Sequence, residues 1–347
     1  MYMHCARRQV VNARSCSILF FLLFLHLHIV VADTVSDGAV IERQASPAVV
    51  SIRPQDRLVG IGTALRQRDY KGVFSYEQQG RVSTLQWVHA VRDGIEHERL
   101  LGLDGVHREV LRERPLGCMR REERAIHTRL MDALTGDISS ISSLYELTFD
   151  KPERVAGRES DVIMVKPRDG FRWGYRLFVD HDTGILLGAD MLGATEKPVQ
   201  QFRFLSIQIG AVTDADMQAI TQDPVRMDMS HCQQEVAEGQ ADEKNISPWI
   251  FDVPPGYTLC SHESQREGSS RLQEDVQTFS DGLSHFTVFI HEDSSAAKAE
   301  NPAHMQLGNT VLTNRIVEVE GGKYSVTIVG EVPDEIAKMV MTSLRRK

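Results

Sequence analysis

Few side chains in this chain stand at the spacings that enzymes use. His97-Glu98 begins the pattern of a zinc-binding helix, which needs a second His four residues after the first, but position 101 is Leu. Gly60-Ile61-Gly62 looks like the start of a phosphate loop, yet it lies inside a helical pattern and nothing phosphate-binding follows it. There is no Gly-x-Ser-x-Gly and no Cys-x-x-Cys, so neither a nucleophile elbow nor a dithiol redox motif is available. His89, His97 and His107 fall on strand and turn positions and read as half-buried histidines rather than metal ligands. A Ser, His and Asp gathered from distant segments would leave no spacing to read. The sequence therefore assigns no catalytic residue, no metal ligand and no cofactor.

Two other groups of residues point to binding. Phe74, Tyr76, Leu85, Trp87, Trp173, Tyr175, Leu177, Phe202 and Phe204 lie in runs with a two-residue period. They fit the core of a sheet packed against helices. They also fit the wall of an open, curved groove that takes an acyl chain or apolar side chains. Arg112, Arg114, Arg120, Arg121, Arg124 and Arg129 crowd one stretch, diluted by Glu113, Glu122 and Glu123. They fit a solvated face, or a site where guanidinium forks grip lipid phosphates, with Arg120, Arg121 and Arg124 as its candidates.

The elements that must position these residues follow from periodicity. Arg57 to Tyr70 reads as an amphipathic helix with Leu58, Ile61 and Leu65 on one face. From Gly72 the period drops to two, with turns at Gly80-Arg81, Asp93-Gly94 and Asp104-Gly105, the signature of successive hairpins. Cys118 to Tyr145 reads as short helices crossing a sheet, and strand period returns from Asp161 to Gly210 around a hairpin loop at 180–184. The expected domains are a signal peptide at 1–32, a large domain at 33–210, an acidic linker at 211–247 and a small domain at 248–347. The linker, with eight acids against Arg226 and Lys244, fits a tether with a short helix or part of a domain interface. In the small domain about four strands and one helix from Pro333 to Arg346 are expected, with Ile336, Val340 and Leu344 as its buried stripe. Arg345, Arg346 and Lys347 would stand at the helix's negative end.

Composition sets the compartment. The 347 residues are 41% hydrophobic and 25% charged, an ordinary globular balance. Residues 1–32 hold Arg7, Arg8 and Arg14 and no acid, then an apolar run from Ile18 to Val31, shorter than a membrane span. Cleavage after Ala32 is expected, with export to the periplasm; the loss of three Arg takes the formal charge from −9 to −12. So acidic a chain is a poor nucleic-acid binder. Cys118, Cys232 and Cys260 remain, and Cys232 with Cys260 fits either a disulfide or two thiols.

The runs DYKGVFSYEQQGRVSTLQWVHAVRDGIEHERLLGLDGVHREV and VAGRESDVIMVKPRDGFRWGYRLFVDHDTGILLGADML resemble the MucB/RseB family, as do WIFDVPPGYTL, TFSDGLSHFTVFI and YSVTIVGEVP in the small domain. That family consists of periplasmic regulators of an envelope-stress sigma factor. The resemblance implies an α+β protein. Its large domain would be an unclosed antiparallel β-barrel covered by helices, like the lipoprotein carriers LolA and LolB, followed by a small antiparallel sheet with one helix. It implies a non-enzymatic partner of the periplasmic segment of a membrane anti-sigma factor, shielding that segment from regulated proteolysis and released by lipopolysaccharide or acyl chains. Phe279, Asp281, Phe286, Tyr324 and Glu331 are the partner-peptide candidates. A lipid or lipoprotein carrier is the alternative, and a homo-oligomer is left open.

Overall fold

The computed structural model describes residues 52–116, 141–228, 247–266, 273–292 and 303–347. The expected signal peptide, the helices read between 118 and 140, Arg120, Arg121, Arg124, Arg129, Cys118 and Cys232 lie outside these residues.

Helix α1 (Pro54–Gln67) opens on Pro, whose missing N–H has no partner to lose in a first turn. Its buried stripe is Leu58, Ile61 and Leu65, as the spacing predicts. It begins three residues before Arg57 and stops short of Tyr70, which enters the sheet opposite His89 and Ile209. Nine strands then follow: β1 (Tyr70–Gln78), β2 (Arg81–Arg92), β3 (Ile95–Gly102), β4 (Glu109–Pro115), β5 (Tyr145–Val155), β6 (Arg158–Pro167), β7 (Gly174–Asp180), β8 (Leu186–Leu192) and β9 (Pro198–Ile209). The turn expected at Gly80-Arg81 falls one residue earlier. Gln79 and Gly80 have φ of 55° and 72°, the paired left-handed residues of a tight hairpin.

A tenth strand, β10 (Val225–Asp228), runs parallel to β4. The order β10-β4-β3-β2-β1-β9-β8-β7-β6-β5 leaves two separate ends, so the sheet is unclosed. Short helices α2 (Ile141–Leu144) and α3 (Asp214–Met217) accompany it. The first half of the acidic segment is thus attached to the sheet. Thr213 caps α3 in a capping box, Lys71 Nζ meets Asp216 at 2.9 Å, and Val212 with Met217 covers Val88 and Ala90.

The small domain has six strands rather than about four: β12 (Thr258–Arg266), β13 (Gln273–Ser280), β14 (His285–Glu292), β15 (Ala303–Leu307), β16 (Thr310–Val319) and β17 (Gly322–Gly330), ordered β12-β13-β14-β17-β16-β15. Its helix α4 (Asp334–Ser343) packs Ile336, Ala337, Val340 and Met341 against Phe286, Val288, Ile328 and Val326. The helix ends three residues earlier than expected. Arg345 and Arg346 leave it to form β18 (Arg345–Arg346), which pairs with β11 (Trp249–Ile250), so they do not cap the helix dipole. The described residues belong to one compact unit.

Candidate functional site

The aromatic residues singled out by sequence meet on one face of the large sheet. Register sets Phe74 beside Leu85 and Phe204, Tyr76 beside Phe202, and Trp87 beside Gly72. Gly72 is required there, because a Cβ would stand 2.4 Å from the Ser206 carbonyl oxygen and 2.9 Å from the Phe204 ring. The rings of Phe74, Trp87, Phe202 and Phe204 lie 5.0–6.5 Å apart, mostly edge to face. Tyr175, Leu177 and Trp173 join the same core, with Leu58, Ile61 and Leu65 of α1; Tyr76 and Leu85 are half-buried against it. Side chains therefore occupy each other's space on this face, and a ligand would have to displace them.

The same face turns polar towards β3 and β4. Glu98 pairs with Arg112 and Glu96 with Arg114 across the two strands, all four buried. Burial raises the Glu98 carboxyl, but Arg112, His89 and Arg114 outweigh it and hold its pKa below the usual value. Tyr70 is pushed well up by burial and then by Glu98 and Glu96. Arg112 and Arg114 belong to the basic stretch of the sequence, but here each faces a glutamate across the sheet.

Two hairpin tips of the small sheet enter the large domain. At the first, the Asp281 carboxylate accepts from Tyr145 Oη at 2.9 Å, from Arg172 Nε at 2.6 Å, and from the backbone N–H of Leu283 and Ser284. The Arg172 and Asp281 side chains are fully buried, and Leu283 belongs to the large-domain core. Burial, and then Asp281, raise the Tyr145 phenol well above its ordinary value, so it stays a donor. Arg172 also donates to the Pro255 carbonyl and lies 4.8 Å over the Tyr257 ring. At the second tip, fully buried Asn309 donates to Gln200 Oε1 at 2.9 Å and accepts from Gln78 Nε2 at 3.1 Å, while Trp173 Nε1 donates to its carbonyl at 3.2 Å. None of the side-chain polar atoms named at this junction is buried without a partner, as burial demands.

One constellation has enzyme-like residue types. Ser247 Oγ donates to Asp275 Oδ1 at 2.9 Å, and His262 Nε2 meets Asp275 Oδ2 at 2.7 Å. The carboxylate stands in the middle, so these contacts do not set His262 to take the serine proton, as a triad requires. No cluster of three or more metal-ligating side chains occurs among the described residues.

Comparison with known proteins matches this architecture across both sheets. The MucB/RseB N-terminal domain matches residues 53–229, and the MucB/RseB C-terminal domain matches residues 243–345. The chain belongs to the MucB/RseB family. The sigma factor AlgU regulatory protein MucB of Pseudomonas aeruginosa is 33% identical, over 87% of this chain and 93% of its own. The sigma-E factor regulatory protein RseB of Haemophilus influenzae is 26% identical, over 81% of this chain and 88% of its own. A crystal structure of MucB in complex with MucA(peri) superposes with a TM-score of 0.68 at 31% identity, covering 85% of this chain and 99% of that one. A crystal structure of MucB gives 0.55 at 30% identity, covering 85% and 98%.

Within this MucB/RseB fold the five partner-peptide candidates are all buried. Phe279, Phe286 and Tyr324 belong to the small-domain core, and Asp281 is the junction acid. Glu331 lies near Tyr175, whose phenol is raised by burial and then by Glu331 and Asp281. Arg172, Tyr145 and Asn309 were not singled out by sequence reasoning. Arg172 offered a faint signal, as an arginine between Phe171 and Trp173; Asn309 follows Gly308 like any turn residue.

Proposed function

We propose that this protein binds the exported segment of a membrane anti-sigma factor and so regulates an envelope-stress sigma factor, with no chemistry of its own. The observation that carries the reading is the likeness to MucB as captured with MucA(peri), which spans both sheets at 31% identity. The N-terminal stretch supports a periplasmic setting, with its three Arg and its short apolar run. No helix among the described residues is long and apolar enough to cross a membrane. Binding shields the segment from regulated proteolysis, and a lipid or lipopolysaccharide releases it. Such a ligand must bind the released state more tightly, or it shifts nothing. In the large domain its entry would part α1 from the face formed by Phe74, Trp87, Phe202 and Phe204. The deciding experiment mixes the purified chain with the periplasmic segment of the anti-sigma factor from the same organism and follows heat release on titration. A stable complex that lipopolysaccharide dissociates is expected; absence of binding would overturn the reading.

A further inference from the structure

At the junction each domain sets an apolar side chain against the other's core. Leu283, at the β13–β14 tip, is 5% exposed and belongs to the large-domain core; among the described residues it is the only member of that core drawn from the small sheet. Phe171, between β6 and β7, packs in return against the small-domain core. Asp281 shapes the tip with one carboxylate oxygen and reaches across with the other. Its Oδ1 accepts from the N–H of Leu283 and Ser284, and its Oδ2 accepts from Tyr145 and Arg172. Gly282, with φ of 98°, lets the chain turn between them. The second tip meets the same core. Trp173 donates to the Asn309 carbonyl, and Asn309 Nδ2 stands 2.8 Å from Met191 Sδ; Trp173 and Met191 are both core residues.

Every other residue of that core is carried by the large domain, so making room among them unpacks the domain from within. Leu283 can leave with the small sheet as a body. The remaining contacts let it go at modest cost, because they are largely polar. Arg172 meets Asp281 and the Pro255 carbonyl, Tyr257 Oη donates to the Phe171 carbonyl at 3.2 Å, and Asn309 joins Gln78 to Gln200. Parting both members of a buried pair returns both to water, which offsets most of the lost attraction; removing one member alone strands the other. Polar interfaces of this kind are the ones about which domains move. We infer that Leu283 is a plug. With the junction closed it fills the part of the large-domain core that an acyl chain takes, so ligand entry and junction closure exclude each other. By linkage, whatever holds the junction closed weakens the ligand by the factor with which the ligand opens the junction. This rests on the ligand half of the proposed function and supplies the route from the large domain to the small sheet.

The test reads the affinity of the full chain for cis-parinaric acid, a fluorescent fatty acid. Gln79→Cys with Gly308→Cys supplies a lock across the second tip, since a Cβ at Gly308 would stand 3.3 Å from Gln79 Cγ, within reach of a disulfide. Cys118→Ser, Cys232→Ser and Cys260→Ser clear the background. The oxidised and reduced forms of this one protein are compared, so the cost of the left-handed backbone at both positions, φ of 55° and 64°, is common to the two. The oxidised form is expected to bind about fivefold more weakly, or worse, than the reduced form, the lower end of ordinary coupling between sites. Leu283→Ala removes the plug and is expected to bind more tightly than the wild type by about the same factor. Asp281→Asn keeps the size of the tip but loosens its hold, and should fall between. Equal affinity in the two redox forms would overturn the inference, as would fatty acid binding in none of these proteins. Should the bridge not close, Leu283→Ala and Asp281→Asn decide alone, and wild-type affinity in both overturns it. Titration of the anti-sigma segment separates the two readings. A chain that binds the segment but shows no redox dependence loses the plug and keeps the function, whereas one that takes up fatty acid under redox control and binds no segment keeps the plug and loses the function.

Discussion

The two sheets of this protein use their faces differently. The large one packs its aromatic face with its own side chains, so that Phe74 is 1% exposed and touches three other rings. The small one covers one face with α4 and leaves Phe289 half-buried on the other. The residues most conspicuous in the sequence are therefore packed into a core, while quieter apolar residues stay partly exposed on the small sheet. Matched substitutions separate the two. Phe74→Ala should cost about 3–5 kcal/mol, the range for a large ring removed from a sealed core. Phe289→Ala should cost less than half as much, because water already reaches that ring. Urea denaturation of both variants gives the comparison, and equal losses would mean that the second face is as closed as the first.

The junction between the sheets comes next in size. Asn309→Ala removes the side chain that joins Gln78 to Gln200 and leaves both amides short of a buried partner. The expected loss is about 1–3 kcal/mol, the cost of stranding buried polar groups. The Trp173 bond should survive, since it ends on the Asn309 backbone carbonyl. Amide hydrogen exchange should show the loss confined to β15, β16 and the adjoining β1 and β9. A variant as stable and as protected as the wild type would show that this tip is a contact without consequence.

Local rules carried far into this fold. Leu58, Ile61 and Leu65 fixed the buried side of α1, and the two-residue period placed β1 to β3 and β6 to β9. What local rules could not reach was pairing between distant segments. β10 is four residues long and pairs with a strand more than a hundred positions earlier. β15 is exposed along its whole length, so it shows no alternation to read. Arg345 and Arg346 obey the dipole rule in sequence, yet β11 captures them. At the site, periodicity could group the aromatic residues but could not say whether the space between them is filled. Asp281 shows the same gap: its spacing marks a turn, and only the fold reveals the buried arginine that meets it.

Acid should affect the two sheets unequally through Glu98. Its pKa in the folded chain lies below the ordinary value, because Arg112 and Arg114 outweigh the cost of burial. A depressed carboxyl contributes stability above its unfolded pKa, about 4.3, and that contribution is lost as pH falls through the lower folded value. Glu98→Gln should therefore lower stability at neutral pH and flatten its decline below about pH 4. Thermal melts of both proteins between neutral and acid pH measure the two slopes. Parallel slopes would mean that the Glu98–Arg112 pair does not contribute to acid sensitivity.

The smallest expected change tests the open face from within. Thr278 and Thr287 bond to each other across β13 and β14 at 3.0 Å. Thr278→Val keeps the shape and removes one hydroxyl, leaving Thr287 to find another partner. On a face reached by water it finds one at once, and the loss should stay within about 0.5 kcal/mol, as for ordinary surface changes. Beneath a packed layer the stranded hydroxyl would cost about 1–3 kcal/mol. A large loss would place a covering layer in the protein itself and return this face to the same class as the aromatic one.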